Sequence, residues 1–328
     1  MKIAINGFGR IGRAAAKIIL DQENCELVAI NDLGDIAGLA HLMKYDSCYG
    51  IYNKEVGFDE NELIVNNKKI HFYSQKDPAK LPWRELEIDV VIESTGIFLT
   101  KEMAKSHLEA GAKKVVMSAP PKDDTPTFVL GVNADKYEDE KIISCASCTT
   151  NCIAPVMKLL EDNFGIEKSL MTTIHSYTAD QNLVDGPHKD LRRARAAAIN
   201  IVPTTTGAAK ATFKTIPSLE GKFDGLAIRV PTPIVSLSDI TVLLKDNVTI
   251  EEINRVFSEA AEFTHKGILT VTEEPVVSTD LIQNTASSIV DLPLTQVVKG
   301  NLVKVIAWYD NEWGYSNRLV ELAQLIGR

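Results

Sequence analysis

Lys2-Ile3-Ala4-Ile5-Asn6-Gly7-Phe8-Gly9-Arg10-Ile11-Gly12-Arg13, at the start of the chain, is the stretch from which the fold is read. Lys2–Asn6 is an apolar run of strand length, Arg10–Leu20 carries helical periodicity, and three glycines lie between and within them. In this Gly-x-Gly-x-x-Gly frame Gly7 permits the tight turn, Gly9 lets a pyrophosphate reach the backbone, and Gly12 lets helix and strand pack closely. The free N–H groups at the helix start then receive the phosphate. A second strand, Glu26–Asn31, leads into Asp32, twenty positions after Gly12. A carboxylate there accepts from the adenosine ribose 2′-hydroxyl and repels a 2′-phosphate, which favours NAD over NADP.

Working outward, apolar runs alternate with helical stretches up to about Ser147. Asp89–Ser94, Lys114–Ser118, Thr127–Val132 and Lys141–Ser144 read as buried strands, and Thr100–Ala110 as a helix closed by Gly111. That alternation implies a parallel sheet with ligand sites at the C-terminal strand ends. After about residue 165 the rhythm changes. Lys168–Ser176, Phe223–Val230, Ser236–Leu244 and Leu302–Trp308 read as longer strands of an antiparallel sheet. Thr249 and Glu252 form a capping box, followed by a helix with Ile253, Val256, Phe257 and Ala260 as its buried stripe. Arg318–Ile326 reads as a last amphipathic helix. Tyr177–Ala209 is long, polar and poorly periodic, as functional loops are. The fold class expected is therefore α/β: a Rossmann NAD-binding domain with a parallel sheet, over 1–147, and an α+β domain with a mostly antiparallel sheet, over 148–312. The C-terminal helix, 313–328, is expected to pack back on the first domain.

The 328 residues suit about two domains. With 45% apolar and 24% charged residues this is an ordinary globular composition, which excludes disordered, collagen-like and coiled-coil classes. The net charge of −9 gives no general attraction to nucleic acid or anionic membrane, so any bound anion is caught by local design. Asn6, Arg10, Arg13 and Lys17 interrupt any signal-peptide core, and no apolar run approaches the roughly 18 residues of a spanning helix. Three of five cysteines fall within 145–152; this odd, clustered set argues for a reducing compartment, the cytoplasm.

Cys145-Ala146-Ser147-Cys148-Thr149-Thr150-Asn151-Cys152 lies where a strand gives way to a helix. Cys148 holds the helix start, where the dipole favours thiolate. His175, at the end of an apolar strand and before the polar loop, is the base expected beside it, exposed at a sheet edge. Zinc on the three cysteines and His175 has an unusual spacing, and no metal is expected. A redox pair of Cys145 and Cys148 stays open. Cys25 and Cys48 read as inert, and His41, His71, His107 and His265 as structural or surface groups.

Ser-Cys-Thr-Thr-Asn-Cys at 147–152, His-Ser-Tyr-Thr at 175–178, the Gly-Phe-Gly-Arg-Ile-Gly-Arg start and Tyr-Asp-Asn-Glu-Trp-Gly-Tyr at 309–315 together resemble the phosphorylating glyceraldehyde-3-phosphate dehydrogenase family, end to end. The resemblance implies NAD-dependent oxidation of triose phosphate through a cysteine hemithioacetal and thioester, with Cys148 as nucleophile and His175 as base. It assigns Arg10 and Ile11 to the pyrophosphate, Lys76 and Ser118 to the adenosine side, and Asn311 to the nicotinamide carboxamide. It assigns Ser147, Thr149, Thr178, Arg193, Thr206, Gly207 and Arg229 to substrate phosphate and inorganic phosphate. It also implies a cytoplasmic homotetramer, with no membrane or nucleic-acid partner. Ala179, Gly186 and Cys145 depart from residues common in the family, and Gly186 bears on NAD preference. Erythrose-4-phosphate dehydrogenase is the near alternative; a non-catalytic NAD-binding thiol redox sensor is the alternative of a different class.

Overall fold

Val and Ile cluster in short runs that form the buried strands, such as Val90–Glu93 and Lys114–Met117, and more exposed short strands accompany them. In the computed structural model, which describes residues 1–328, the first ten are β1 (Lys2–Asn6), β2 (Glu26–Asn31), the small pair β3 (Tyr45–Asp46) and β4 (Gly50–Ile51), β5 (Val56–Phe58), β6 (Glu62–Val65), β7 (Lys68–Tyr73), β8 (Val90–Glu93), β9 (Lys114–Met117) and β10 (Ile142–Ser144). Their main sheet has the order β10-β9-β8-β1-β2-β7-β6-β5. It is parallel from β10 to β7 and antiparallel from there on. The order changes direction between β1 and β8, the switch point where such sheets bind ligands. Helices α1 (Arg10–Leu20), α2 (Ile36–Lys44) and α3 (Lys101–Glu109) belong to this unit.

The remaining strands are β11 (Ile166–Ser176), β12 (Val202–Thr205), β13 (Phe223–Val230), β14 (Ser236–Leu244), β15 (Leu269–Thr272), β16 (Ser288–Asp291), β17 (Gln296–Val298) and β18 (Leu302–Tyr309). They make a mostly antiparallel sheet of order β12-β13-β11-β14-β18-β16-β15, with β17 on β18. Helices α4 (Cys148–Phe164), α5 (Ala208–Thr215) and α6 (Ile250–Glu262) accompany it, and the Thr249–Glu252 capping box starts α6. The last helix is α7 (Trp313–Ile326). By contacts the chain divides into two compact units: residues 1–128, 136–146 and 316–328, and residues 129–135 and 147–315.

Two expectations are corrected. Thr127–Val132 is not a strand: only Thr127 bridges to Ser144, because the segment turns at Gly131, whose φ is +77°. His175 is not at a sheet edge. β11 lies between β13 and β14, and His175 is 4% exposed.

Gly12 shows how tightly the glycine turn is built. A Cβ there would lie 2.1 Å from the carbonyl oxygen of Gly7, on backbone that cannot yield. Gly12→Ala is expected to destabilise the protein by about 1–3 kcal/mol, the usual cost of overpacking. Thermal unfolding compared with Gly9→Ala checks this, since a Cβ at Gly9 meets nothing within 4 Å.

Candidate active site

In the first unit the Gly-x-Gly-x-x-Gly turn leads from β1 into α1. Gly7 adopts φ +94°, and a Cβ there would press on the amide of Thr95 at 2.6 Å, so only glycine fits. No side chain caps α1, and a helix start of this kind favours an anion. A cavity of about 390 Å³ lies here, lined among others by Gly7, Gly9, Asp32, Leu33, Lys76 and Phe98. Asp32 is anchored by the amides of Phe8 (2.6 Å) and Gly34 (2.8 Å), which fixes its carboxylate at the end of β2. These features fit a dinucleotide: a close backbone approach at Gly9, a helix start without a side-chain cap for phosphate, and an acid for a ribose.

The other cofactor positions are placed as follows. Arg10 directs its guanidinium to Asp46 (2.6 Å) and over the Tyr49 ring, at the first position of α1. Ile11 is half-buried in the first turn of α1. Ser118 follows β9, and its amide donates to the carbonyl of Glu93. Asn6, Asn31, Gln75, Ser94, Thr95 and Ile97 also line the cavity and were missed. The rule that ligands sit at C-terminal strand ends points to the first two, since Asn6 ends β1 and Asn31 ends β2.

In the second unit Cys148 is the first residue of α4. Ser147 caps the helix, its hydroxyl accepting from the amide of Thr150 at 3.0 Å. Cys148 Sγ lies 3.6 Å from His175 Nε2. The carbonyl oxygen of Ser176, which only accepts, is 2.7 Å from His175 Nδ1, so we assign the imidazole proton to Nδ1 and leave the Nε2 lone pair facing sulfur. The parallel pairing of β11 with β13 sets Arg229 beside His175 in register. Its Nη1 is 2.9 Å from both His175 Nδ1 and the carbonyl of Ser176.

Burial pushes the Cys148 thiol up, against the downward pull of the Arg229 guanidinium and of bonds from Thr149. Burial thus opposes what the helix start and the arginine favour, and the neighbouring imidazole is the group that can take the proton. Burial first and Arg229 second push His175 down to about 3, so the imidazole is neutral at neutral pH. Moving the proton from Sγ to Nε2 changes no net charge. At 3.6 Å the resulting ion pair attracts itself by on the order of 4–5 kcal/mol at an effective dielectric of 20. The pair can thus deliver a sulfur nucleophile and hold its proton.

Beneath it Tyr309 is wholly buried, its hydroxyl 2.9 Å from those of Thr149 and Thr173, and the His175 ring meets it edge-on. Sequence reading missed Tyr309; Thr149, assigned to phosphate by the resemblance, directs its hydroxyl to Tyr309. Arg193 donates to Thr204 Oγ1 (3.0 Å) and the carbonyl of Thr205 (3.2 Å), and it pairs with Asp180. Its charge reaches His175 and Arg229. Thr206 and Gly207 immediately precede α5, and Thr206 Oγ1 accepts from the amide of Ala208. Thr178 is half-buried, its carbonyl bonded by the amide of Gln181. Asn311 is joined to the site through Ser236, whose hydroxyl donates to Asn311 Oδ1 (2.9 Å) and accepts from the amide of Ser176 (3.1 Å). No group of three or more His, Cys, Asp or Glu residues is arranged to hold a metal ion.

Comparison with known proteins gives two family models. One, described as the NAD binding domain of glyceraldehyde 3-phosphate dehydrogenase, matches residues 1–101; the other, its C-terminal domain, matches residues 147–311. Glyceraldehyde-3-phosphate dehydrogenase 2 of Streptomyces avermitilis is 53% identical over 330 residues, covering 100% of this chain and 98% of its own length. The glyceraldehyde-3-phosphate dehydrogenase of Priestia megaterium is 55% identical over 328 residues, covering 99% and 98%. That of Geobacillus stearothermophilus is 53% identical with the same coverage.

Proposed function

Since the chain belongs to the glyceraldehyde-3-phosphate dehydrogenase family, an NAD-dependent oxidoreductase family, we propose that it converts D-glyceraldehyde 3-phosphate, inorganic phosphate and NAD⁺ to 1,3-bisphosphoglycerate and NADH. This is a step of glycolysis and gluconeogenesis. The contact that carries the reading is Cys148 Sγ to His175 Nε2, 3.6 Å, at the start of α4.

Sγ attacks the aldehyde carbon while Nε2 takes the thiol proton and returns it to the carbonyl oxygen, giving a hemithioacetal. Nε2 then removes the hydroxyl proton, and departure of the carbon-bound hydrogen with its electron pair, as hydride, leaves a thioester on Cys148. NAD, when bound, supplies the acceptor for the hydride. A phosphate oxygen attacks the thioester carbon and the Cys148 thiolate departs, releasing the acyl phosphate. The Cys148 amide at the helix start is the donor we assign to the developing oxyanion, helped by His175. Arg193 and Arg229 are the guanidinium groups assigned to the two phosphates, with Ser147, Thr178, Thr206 and Gly207 as further donors. Thr149 supports Cys148 through its bond to Tyr309. Gly7, Gly9, Gly12 and the Arg10 and Ile11 amides take the pyrophosphate, Asp32 and Lys76 the adenosine side with Ser118, and Asn311 the carboxamide.

A homotetramer is the proposed assembly, supported by Leu170, Leu226 and Leu302, large apolar residues exposed on the second unit's sheet. Cytoplasmic residence is proposed on the five free cysteines; no helix is long and apolar enough to cross a membrane. Phosphate dependence tests the reaction. Without phosphate, NADH formation should stop after roughly one equivalent per active site, as a stalled acyl-enzyme requires. Undiminished steady turnover would contradict phosphorolysis and favour a hydrolysing enzyme of the erythrose 4-phosphate type.

A further inference from the structure

Under the cavity of the first unit runs a buried polar chain that the reaction does not use. Trp83 Nε1, which only donates, faces His107 Nδ1 at 3.1 Å. The imidazole proton therefore sits on Nε2 and is given to Glu93 Oε2 at 3.0 Å. Glu93 also accepts from Asn6 Nδ2 (2.6 Å) and from both the amide (2.8 Å) and the hydroxyl of Thr95. Four donors converge on its two oxygens, the full capacity of a carboxylate. Glu93 is 2% exposed and His107 wholly buried, and because Trp83 donates to Nδ1 the imidazole meets the acid as a neutral donor, like the other three. The chain continues from Asn6 Oδ1 to Asn31 Nδ2 (2.7 Å) and from Asn31 Oδ1 to the amide of Gln75 (2.8 Å).

Asn6, Asn31, Gln75 and Thr95 all line the cavity. A buried charge without a counter-ion is expensive, and here all of its bonds hold the cavity floor or its support. The geometry points to Glu93 as a positioning residue for the dinucleotide: its carboxylate, oriented by His107, locks Asn6 and Thr95 in the form that receives NAD. This rests on the reading that the cavity takes NAD. Glutamine is no substitute, since its amide nitrogen would confront two of the four donors. His107 has a narrower task, to present one donor to Glu93 and one acceptor to Trp83.

The test is titration calorimetry of NAD with the full-length protein, paired with steady-state kinetics and with iodoacetamide alkylation of Cys148. Glu93→Gln should raise Kd and KM for NAD at least about tenfold, the effect of unpairing buried donors around a charged acceptor. Its kcat at saturating NAD and its alkylation rate should stay within about twofold of wild type, because no reacting atom is touched. His107→Phe should weaken NAD binding in the same direction, and His107→Gln, which keeps one donor and one acceptor, should restore it. This pair decides the matter if Glu93→Gln does not fold. Unchanged NAD affinity in Glu93→Gln, a loss confined to kcat, or equal binding by the two His107 variants overturns the positioning role. Wild-type protein that binds no NAD would instead overturn the reading of the cavity.

Discussion

Cys148→Ser is expected to lower NADH formation from triose phosphate by at least about 10⁴-fold, the scale of removing a catalytic nucleophile. A serine hydroxyl at the start of α4 cannot give up its proton as a thiol does, and the intermediates depend on a sulfur leaving group. Cys145→Ser should stay within about threefold of wild type, as surface-neutral or mildly destabilising changes do. Cys145 is 1% exposed and sits one turn of chain before the helix. Cys152 is equally shut away: it is fully buried among Ser238, Ser288 and the carbonyl of Ala307, and burial pushes its thiol up to about 12. Absorbance at the NADH wavelength checks both variants. The opposite ranking, with Cys145 essential and Cys148 dispensable, would favour a redox sensor over an enzyme.

His175→Asn should lower turnover by roughly 10²–10⁴-fold, the range of a positioned general base. The sign of its effect on sulfur follows from the site. Burial raises the Cys148 thiol above its ordinary value, and only transfer to Nε2 makes the anion without creating net charge. Without that acceptor, the pH profile of iodoacetamide alkylation should move to higher pH, and the rate at pH 7 should fall about tenfold for each unit moved. Alkylation at the wild-type rate would show that the helix start and Arg229 suffice. The same burial works against the fold in acid. The unfolded imidazole binds a proton below about 6.5, whereas the folded one resists until about 3. Stability is therefore lost as pH falls through that window, by on the order of 4 kcal/mol, and His175→Asn should lose that share less steeply.

Local signals carried much of the fold. The glycine turn, the Asp32 position, the helix start at Cys148 and the Thr249–Glu252 capping box each follow from neighbours a few residues apart, and each is present. What escaped reading depends on distant pairing. Arg229 comes beside His175 because β11 and β13 run parallel, joining residues 54 positions apart. Tyr309 bonds Thr149 across 160 positions. The burial of His175 reflects strands on both sides of β11, which an apolar run ending in a polar loop does not reveal. The antiparallel β5–β7 extension was missed for a related reason: Glu62–Val65 is only four residues long and Lys68–Tyr73 opens on two lysines, yet they pair as a hairpin at one side of the sheet.

The most direct measurement is peptide mass mapping of enzyme mixed with triose phosphate and NAD in the absence of phosphate and quenched in acid within one turnover. The account predicts a three-carbon phosphoacyl group on the peptide carrying Cys148, labile to hydroxylamine and gone when phosphate precedes the quench. An unmodified Cys148 peptide alongside a full equivalent of NADH, or the acyl group on Cys145 or Cys152, would contradict it.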